Sequence, residues 1–416
     1  MTTLIKPFRG LRPTPEHAND VAAPPYDVLN TVEARERATG KPMSFLHISK
    51  PEIDLPVDTD PYAPEVYAKG AENLNKLVNE SVLIRDDEPR YYAYRLRMGN
   101  HEQTGLVCAG SVADYDTNRI RKHEFTRPQK EDDRVRQITA LKAQTGPVLL
   151  TYRSSDAVKQ ILDSVTAEAA PLYDLVADDG IGHTIWLIDN PAQIEQLTNT
   201  FDAMEALYIA DGHHRSASAS RVAAAINEEG GHQEALDADH NYFLCVAFPH
   251  DEMQILDYNR VIKDLNGLSV EDLIAKISEK FIVTPSTQPA KPGKPEQFGM
   301  YTNGCWYQLD IRPELVPNDD PVGSLDVSLL QDNIINPLLG IENPRTDNRI
   351  DFVGGIRGLG ELEKRVNSGE MAVAFALFPT RMEALMAVAD ANEVMPPKST
   401  WFEPKLADGL VSHVID

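Results

Sequence analysis

A chain of 416 residues with 42% apolar and 25% charged residues lies in the globular range, which excludes a disordered or fibrous polymer and favours two or more domains over one core. Sixty-four acidic against 40 basic side chains give a formal charge of −24, a field that repels phosphodiester backbones and anionic membranes alike. A small anionic ligand would need a local island of positive potential, so such an island is the feature to search for.

Residues 1–40 are rich in proline (Pro7, Pro13, Pro15, Pro24, Pro25) and read as an extended leading segment. Lys6, Pro7, Arg9 and Arg12 stand where a secretory signal needs an apolar run, so a cytoplasmic protein is expected. Residues 63–79 place Val66, Ala71, Leu74 and Leu77 on one helical face. The alternating runs 90–98 and 103–112 read as neighbouring strands about a turn at Gly99 and Asn100. Pro128 suits the first turn of a helix running to about residue 142. Strands then follow at 148–152, 184–189, 207–210 and 242–248, with helices at 155–168, 191–201 and 214–228 between them. The proline-rich stretch 285–295 separates strands at 281–284 and 299–303, and helix, strand 371–378, helix 381–393 and a proline-rich tail close the chain. The expectation is a mixed α/β (α+β) fold. Residues 1–265 would form a mixed-sheet core carrying a phosphate or nucleotide site, and residues 266–416 a smaller C-terminal α+β domain whose tail completes the site.

Cys108, Cys245 and Cys305 show no C-x-x-C spacing and fit a reducing compartment. The longest uncharged apolar run, 371–378, has eight residues against the ~20 that span a bilayer. Neither a membrane nor a nucleic-acid partner is expected, and the oligomeric state is open, a homodimer included.

The richest motif is Asp211-Gly-His-His-Arg215, set between an apolar strand and a helix striped by Ala219, Val222, Ala223 and Ile226. Unpaired N–H groups and the positive end of the helix dipole then point where His213, His214 and Arg215 cluster, the geometry of an anion site. Gly212 lets the backbone approach a phosphate, and Asp211 can cap the helix, hold a metal ion such as Mg²⁺, or accept a proton. The alternative is a capped helix with surface imidazoles. A second motif, Lys122-His-Glu-Phe-Thr-Arg127, fails as a zinc helix because Arg127 occupies the place of the second histidine and Pro128 breaks the turn. It leaves His123 and Glu124 before a helix, with Arg127, Lys130 and Arg134 able to bind phosphate oxygens while Glu124 acts as base; a solvated helix start is the competing reading. Lys398-Ser399-Thr400 imitates the end of a Walker A loop, but prolines replace its glycines; Lys398 and Lys405 could still pin a phosphate, or be solvated lysines of a packed tail. Gly354-Gly-Ile-Arg-Gly-Leu-Gly360 lacks dinucleotide spacing. Tyr26 and Asp27, held by stiff prolines, suit a substrate wall or a fixed turn.

Together, Ile5-Lys-Pro-Phe-Arg-Gly-Leu-Arg-Pro, Ala22-Ala-Pro-Pro-Tyr-Asp-Val, Ser44-Phe-Leu-His, Gln103-Thr-Gly-Leu, His123-Glu-Phe-Thr-Arg, Ile209-Ala-Asp-Gly-His-His-Arg and Met395-Pro-Pro-Lys-Ser-Thr-Trp-Phe-Glu-Pro-Lys resemble the DUF1015 family of bacterial cytosolic proteins. The D-G-H-H-R element is similar to the phosphate-binding corner of the ParB and sulfiredoxin-like superfamily, which includes free serine kinases. That likeness implies that Gly212, His213, His214 and Arg215 surround a nucleotide phosphate with Asp211 near the transferred group. His123-Glu124 and Arg127 precede the corner here, whereas the acidic element of those relatives follows it, so Glu124 as base rests on chemistry. The resemblance implies a phosphotransferase acting between ATP or ADP, with Mg²⁺, and serine or O-phosphoserine. A non-catalytic nucleotide-sensing module and a small-molecule phosphohydrolase using His213 or His214 as phosphate acceptor are the alternatives.

Overall fold

The tyrosine-rich run folds back at Gly99, whose φ of 58° suits a tight hairpin turn. Tyr91–Met98 and His101–Ser111 pair antiparallel, Tyr92 opposite Val107 and Met98 opposite His101. In a computed structural model of the chain, residues 3–230 and 236–415 are described. They form two units, Met1–Met253 with Pro404–Asp416, and Gln254–Glu403.

In the first unit the hairpin belongs to a nine-stranded mixed sheet. Its order is Ile120–Arg121, Leu207–Asp211, Val148–Tyr152, Tyr242–Pro249, His101–Ser111, Tyr91–Met98, Gly182–Ile188 and Tyr173–Val176, with Ile5–Lys6 pairing on His101–Ser111. Two neighbour pairs are parallel, Leu207–Asp211 with Ile120–Arg121 and Tyr242–Pro249 with Val148–Tyr152; the others are antiparallel. Helices Asp156–Glu168 and Pro191–Asp202 bury Val158, Ile161, Leu162, Leu197 and Phe201 in the sheet's core, each worth roughly 1.5–3 kcal/mol of transfer free energy. Helix Pro128–Leu141 starts at its proline and ends at left-handed Lys142. It packs between Pro64–Asn79 and His213–Glu229.

A second, four-stranded sheet decides what the site contains. Its order is Leu83–Arg85, Gly10–Pro13, Ser412–Val414 and Ala143–Gln144, so the last residues of the chain are strand-paired between two early segments. An isolated bridge joins Ala23 to Asp408. The expected all-extended leader is corrected: it holds helix Thr31–Ala38, because Asn30 and Glu33 close a reciprocal capping box. The pattern was hard to read because only Ala34 and Ala38 are buried.

The second unit is built on a six-stranded antiparallel sheet in the order Phe281–Ser286, Cys305–Ile311, Gln297–Thr302, Val373–Leu377, Tyr258–Ile262 and Ile350–Gly354. The division falls at Met253 rather than near residue 265, because Tyr258–Ile262 is laddered into this sheet, and the tail from Pro404 returns to the first unit. Gly354 and Gly355 are packing glycines: a Cβ would lie 2.8 Å from Trp401 and 2.3 Å from Asp257. No helix among the described residues is long and apolar enough to cross a membrane.

Candidate functional site

The strand Leu207–Asp211 is buried through Ala210, and its register against Val148–Tyr152 shifts between Ile209 and Asp211. Gly212 follows at φ 101°, ψ 26°, and helix His213–Glu229 begins at the next residue. A side chain at 212 would be strained at that φ and would put its Cβ 3.2 Å from the Arg215 guanidinium. The glycine therefore lets Arg215 fold back beneath the turn. Arg215 donates to the Pro147 carbonyl, and its Nη2 stands 3.7 Å from Asp211 and 3.8 Å from Asp27. Lys405 Nζ reaches Asp211 Oδ2 at 3.2 Å. Burial alone would raise the Asp211 carboxyl, but the Lys405 ammonium and Arg215 hold it well below the usual carboxylate range.

The histidines serve the loop beside the corner. His213 Nε2 accepts from the His123 backbone N–H at 3.4 Å, and His214 Nε2 accepts from that of Arg127 at 3.0 Å. An accepting Nε2 assigns the proton to Nδ1 in both rings. Nδ1 of His213 stands 4.0 Å from Glu124 Oε2, and the His123 ring meets the His213 ring edge-on at 4.5 Å. Burial, reinforced by neighbouring His123, keeps His213 far below the usual histidine pKa; burial lowers His214 as well, helped by Arg127. His123, bonded to the Ile209 carbonyl, is lowered by burial to about 4, and its Nδ1 is a buried atom without a partner among the described residues. The two adjacent rings are therefore neutral staples of the 122–127 loop and add no positive charge to the expected anion site.

Of the other sequence candidates, Arg134 is half-buried, bound to Asp133 through Nε and Nη2 at 2.9 and 2.7 Å, with its guanidinium 4.0 Å from the Tyr26 ring centroid. Burial raises the Tyr26 phenol to about 12 against the pull of Arg134, so it stays protonated. Glu124 and Arg127 are exposed. Lys130 donates to the Tyr62 hydroxyl at 3.1 Å. Lys398 belongs to the second unit, where its ammonium lies 5.6 Å from the Tyr258 ring centroid and its carbonyl accepts from Arg260. Ser399 Oγ there donates to the Pro396 carbonyl at 2.6 Å, so this K-S-T run forms a local turn. Asp211 does not fit as a magnesium ligand, since two cations occupy its carboxylate, and the described residues hold no cluster of three or more His, Cys, Asp or Glu suited to a metal.

Arg215 also lines a pocket whose lining includes Tyr26, Ser49, Arg134, Gln137 and Asp408. Sequence reasoning reached three of these six and missed Ser49, Gln137 and Asp408. Gln137, one turn beyond Arg134 on the same helix, was the one local signal for them. Burial and the Asp27 charge push the Asp408 carboxyl up to about 7 against Arg215 and Arg134. Gly146 makes room: a Cβ there would stand 3.3 Å from Arg215 and 3.6 Å from Asp408.

Residues 5–328 match the family described as a protein of unknown function (DUF1015), and the chain belongs to that family. A search of curated proteins finds no match. Among solved structures the chain is similar to a conserved hypothetical protein from Pyrococcus furiosus, at 14% identity and TM-score 0.34 over 73% of this chain and 93% of that one. It is similar to a free serine kinase in complex with AMP, at 13%, 0.35, 74% and 92% in the same order. It is also similar to C-terminally truncated SbnI from Staphylococcus aureus, at 11%, 0.38, 73% and 85%. With TM-scores below 0.5, these likenesses carry no weight for function.

Proposed function

We propose that the protein is a phosphotransferase that moves a phosphoryl group between an adenine nucleotide and the hydroxyl of a small molecule, with serine or O-phosphoserine as the reactant. One observation carries the reading: Gly212 at positive φ opens a 17-residue helix directly after a buried strand, with Arg215 and Lys405 both within 4 Å of Asp211. Helix N–H groups, a guanidinium and an ammonium thus converge on one small volume, which suits a transferred phosphate whose chemistry is mostly positioning and charge neutralisation. In this reading the phosphate displaces Asp211 as partner of the two cations. Asp211 is a poor base, being so acidic; Glu124, exposed and beside the Nδ1 proton of His213, takes that role.

The phosphohydrolase alternative is disfavoured, because it needs an unprotonated imidazole nitrogen facing solvent and both Nε2 atoms already accept backbone N–H bonds. No step is assigned to a metal ion at Asp211; any Mg²⁺ would arrive on the nucleotide's own phosphates. The test is to incubate the full chain with O-phosphoserine and Mg²⁺, with and without ADP, and to assay ATP and serine. The expected result is ADP-dependent formation of both. Nucleotide-induced thermal stabilisation without transfer in either direction would instead favour a sensing module and sink the catalytic reading.

A further inference from the structure

Three buried polar atoms have no hydrogen-bond partner among the described residues, and the residues that carry them line the same pocket: Ser49 Oγ, Gln137 Oε1 and Asp408 Oδ1. Their residues are 3%, 3% and 1% exposed. Leaving one such group unsatisfied costs about 1–3 kcal/mol, so three around one cavity mark a place where something else supplies the bonds. Their chemistry says what. The Gln137 amide is oriented by its Nε2, which donates to the Ile48 carbonyl at 2.7 Å, leaving its oxygen to accept. Asp408 accepts the Tyr26 backbone N–H, and its second oxygen remains. Two acceptors and one hydroxyl call for a ligand rich in N–H donors. An anion is repelled from this wall, but the Arg134 and Arg215 guanidiniums line the same pocket and would receive one.

We infer that the pocket holds a small zwitterion, an α-amino acid, whose primary ammonium group donates to Asp408 Oδ1, Gln137 Oε1 and Ser49 Oγ while its carboxylate faces Arg134 and Arg215. An ammonium carries three donors and no acceptor, which matches the count of waiting atoms. That this amino acid is the phosphoryl acceptor or donor rests on the function proposed above; the amine site itself stands on the pocket alone. Asp408, Gln137 and Ser49 are then specificity-determining residues, and the site would reject an otherwise similar hydroxy acid lacking nitrogen. Charged groups facing Asp408 are Arg215, Arg134 and Asp27, with Tyr26 beside them, so an incoming ammonium would stabilise the ionised carboxyl and release a proton near neutral pH.

The experiment compares L-serine, O-phosphoserine and 3-hydroxypropionate, which is serine without its amine, by titration calorimetry on the full chain, with ADP as the control for the corner. Either amino acid should bind at least about 100-fold more tightly than 3-hydroxypropionate, in keeping with sites built to hydrogen-bond a substrate group. Asp408→Asn should weaken amino-acid binding by about 10- to 100-fold and leave ADP within about twofold, the scale of a hydrogen bond to a charged group. Equal binding of serine and its amine-free analogue would overturn the inference, and that comparison needs no variant. So would failure of both amino acids to bind, or loss of ADP affinity rather than amino-acid affinity in Asp408→Asn, which would put the adenine amine against this wall. Amine-dependent binding with no phosphate transfer would refute the phosphotransferase reading and leave this one intact.

Discussion

Asp408→Asn also tests the electrostatics of the pocket in the unliganded protein. The carboxyl is 1% exposed and pushed from its ordinary 3.8 up to about 7. Between those pH values the folded chain holds a proton that the unfolded chain has released, so this group's contribution to stability is complete below about pH 4 and is lost as pH rises through about 7. The rise spans about three pH units, and at ~1.36 kcal/mol per unit the loss amounts to about 4 kcal/mol. Asparagine has the same shape and cannot ionise, so its protein lacks that slope. Urea unfolding of both proteins from pH 4.5 to 8 should show the variant gaining on the parent by about 1.4 kcal/mol per pH unit and levelling above pH 7. Every other titrating group is common to both chains and cancels in the difference. A difference flat with pH, or one that falls, would refute the claim that Asp408 is buried in its protonated form beside Asp27.

Arg215→Ala should cut phosphoryl transfer by roughly 10³- to 10⁵-fold in an ATP-formation assay, and Arg215→Lys should restore little, since an ammonium lacks the planar fork by which the guanidinium holds the Pro147 carbonyl while facing an anion. Gly212→Ala forces a Cβ into the left-handed region at φ 101° and to 3.2 Å from the guanidinium; a loss of about 1–2 kcal/mol in urea unfolding and weaker ADP binding are expected. His123, held near 4 by burial, favours unfolding as pH falls from 6.5 through about 4, because the unfolded chain takes up the proton first. Its ring resonances should be constant between pH 5.5 and 8 by NMR; a titration near 6.5 would remove the neutral-staple account.

The corner was legible because its parts are adjacent in sequence. An apolar run, Asp211-Gly212 and an alanine-striped helix determine the turn locally, and the structure starts the helix at His213, one residue before the expected 214. Charge was not legible. The pattern showed two imidazoles, but burial keeps them neutral, and the nitrogen left to accept is chosen by backbone N–H groups of His123 and Arg127, some 90 residues away. The amine pocket was invisible for the same reason: Ser49, Gln137, Gly146 and Asp408 come from four segments, Gln137 tied to the Ile48 carbonyl and the tail brought in where Ser412–Val414 pairs with Gly10–Pro13 and Ala143–Gln144. Asp408 looks like a turn residue before Gly409, which takes φ 90°.

A formal charge of −24 and a phosphate site are compatible because charges beyond about 8–10 Å are largely screened at physiological salt, leaving the near neighbours to decide. Those neighbours are Arg215, Lys405 and Arg134 against Asp211, Asp27, Asp133 and the half-protonated Asp408, a set close to neutral rather than cationic. The searched-for positive island is therefore not a patch of excess charge. Attraction for an anion must come from the helix N-terminus, about half a charge, and from exchanging the Asp211 carboxylate for the ligand as partner of Arg215 and Lys405. An exchange of one anion for another changes net charge little, so ADP affinity should fall by no more than about tenfold between 50 and 500 mM salt, in contrast to sites that act through long-range fields. A steeper loss in calorimetry would mean that a surplus of exposed cations such as Arg127 and Lys130 holds the nucleotide, and that the corner beneath Gly212 does not.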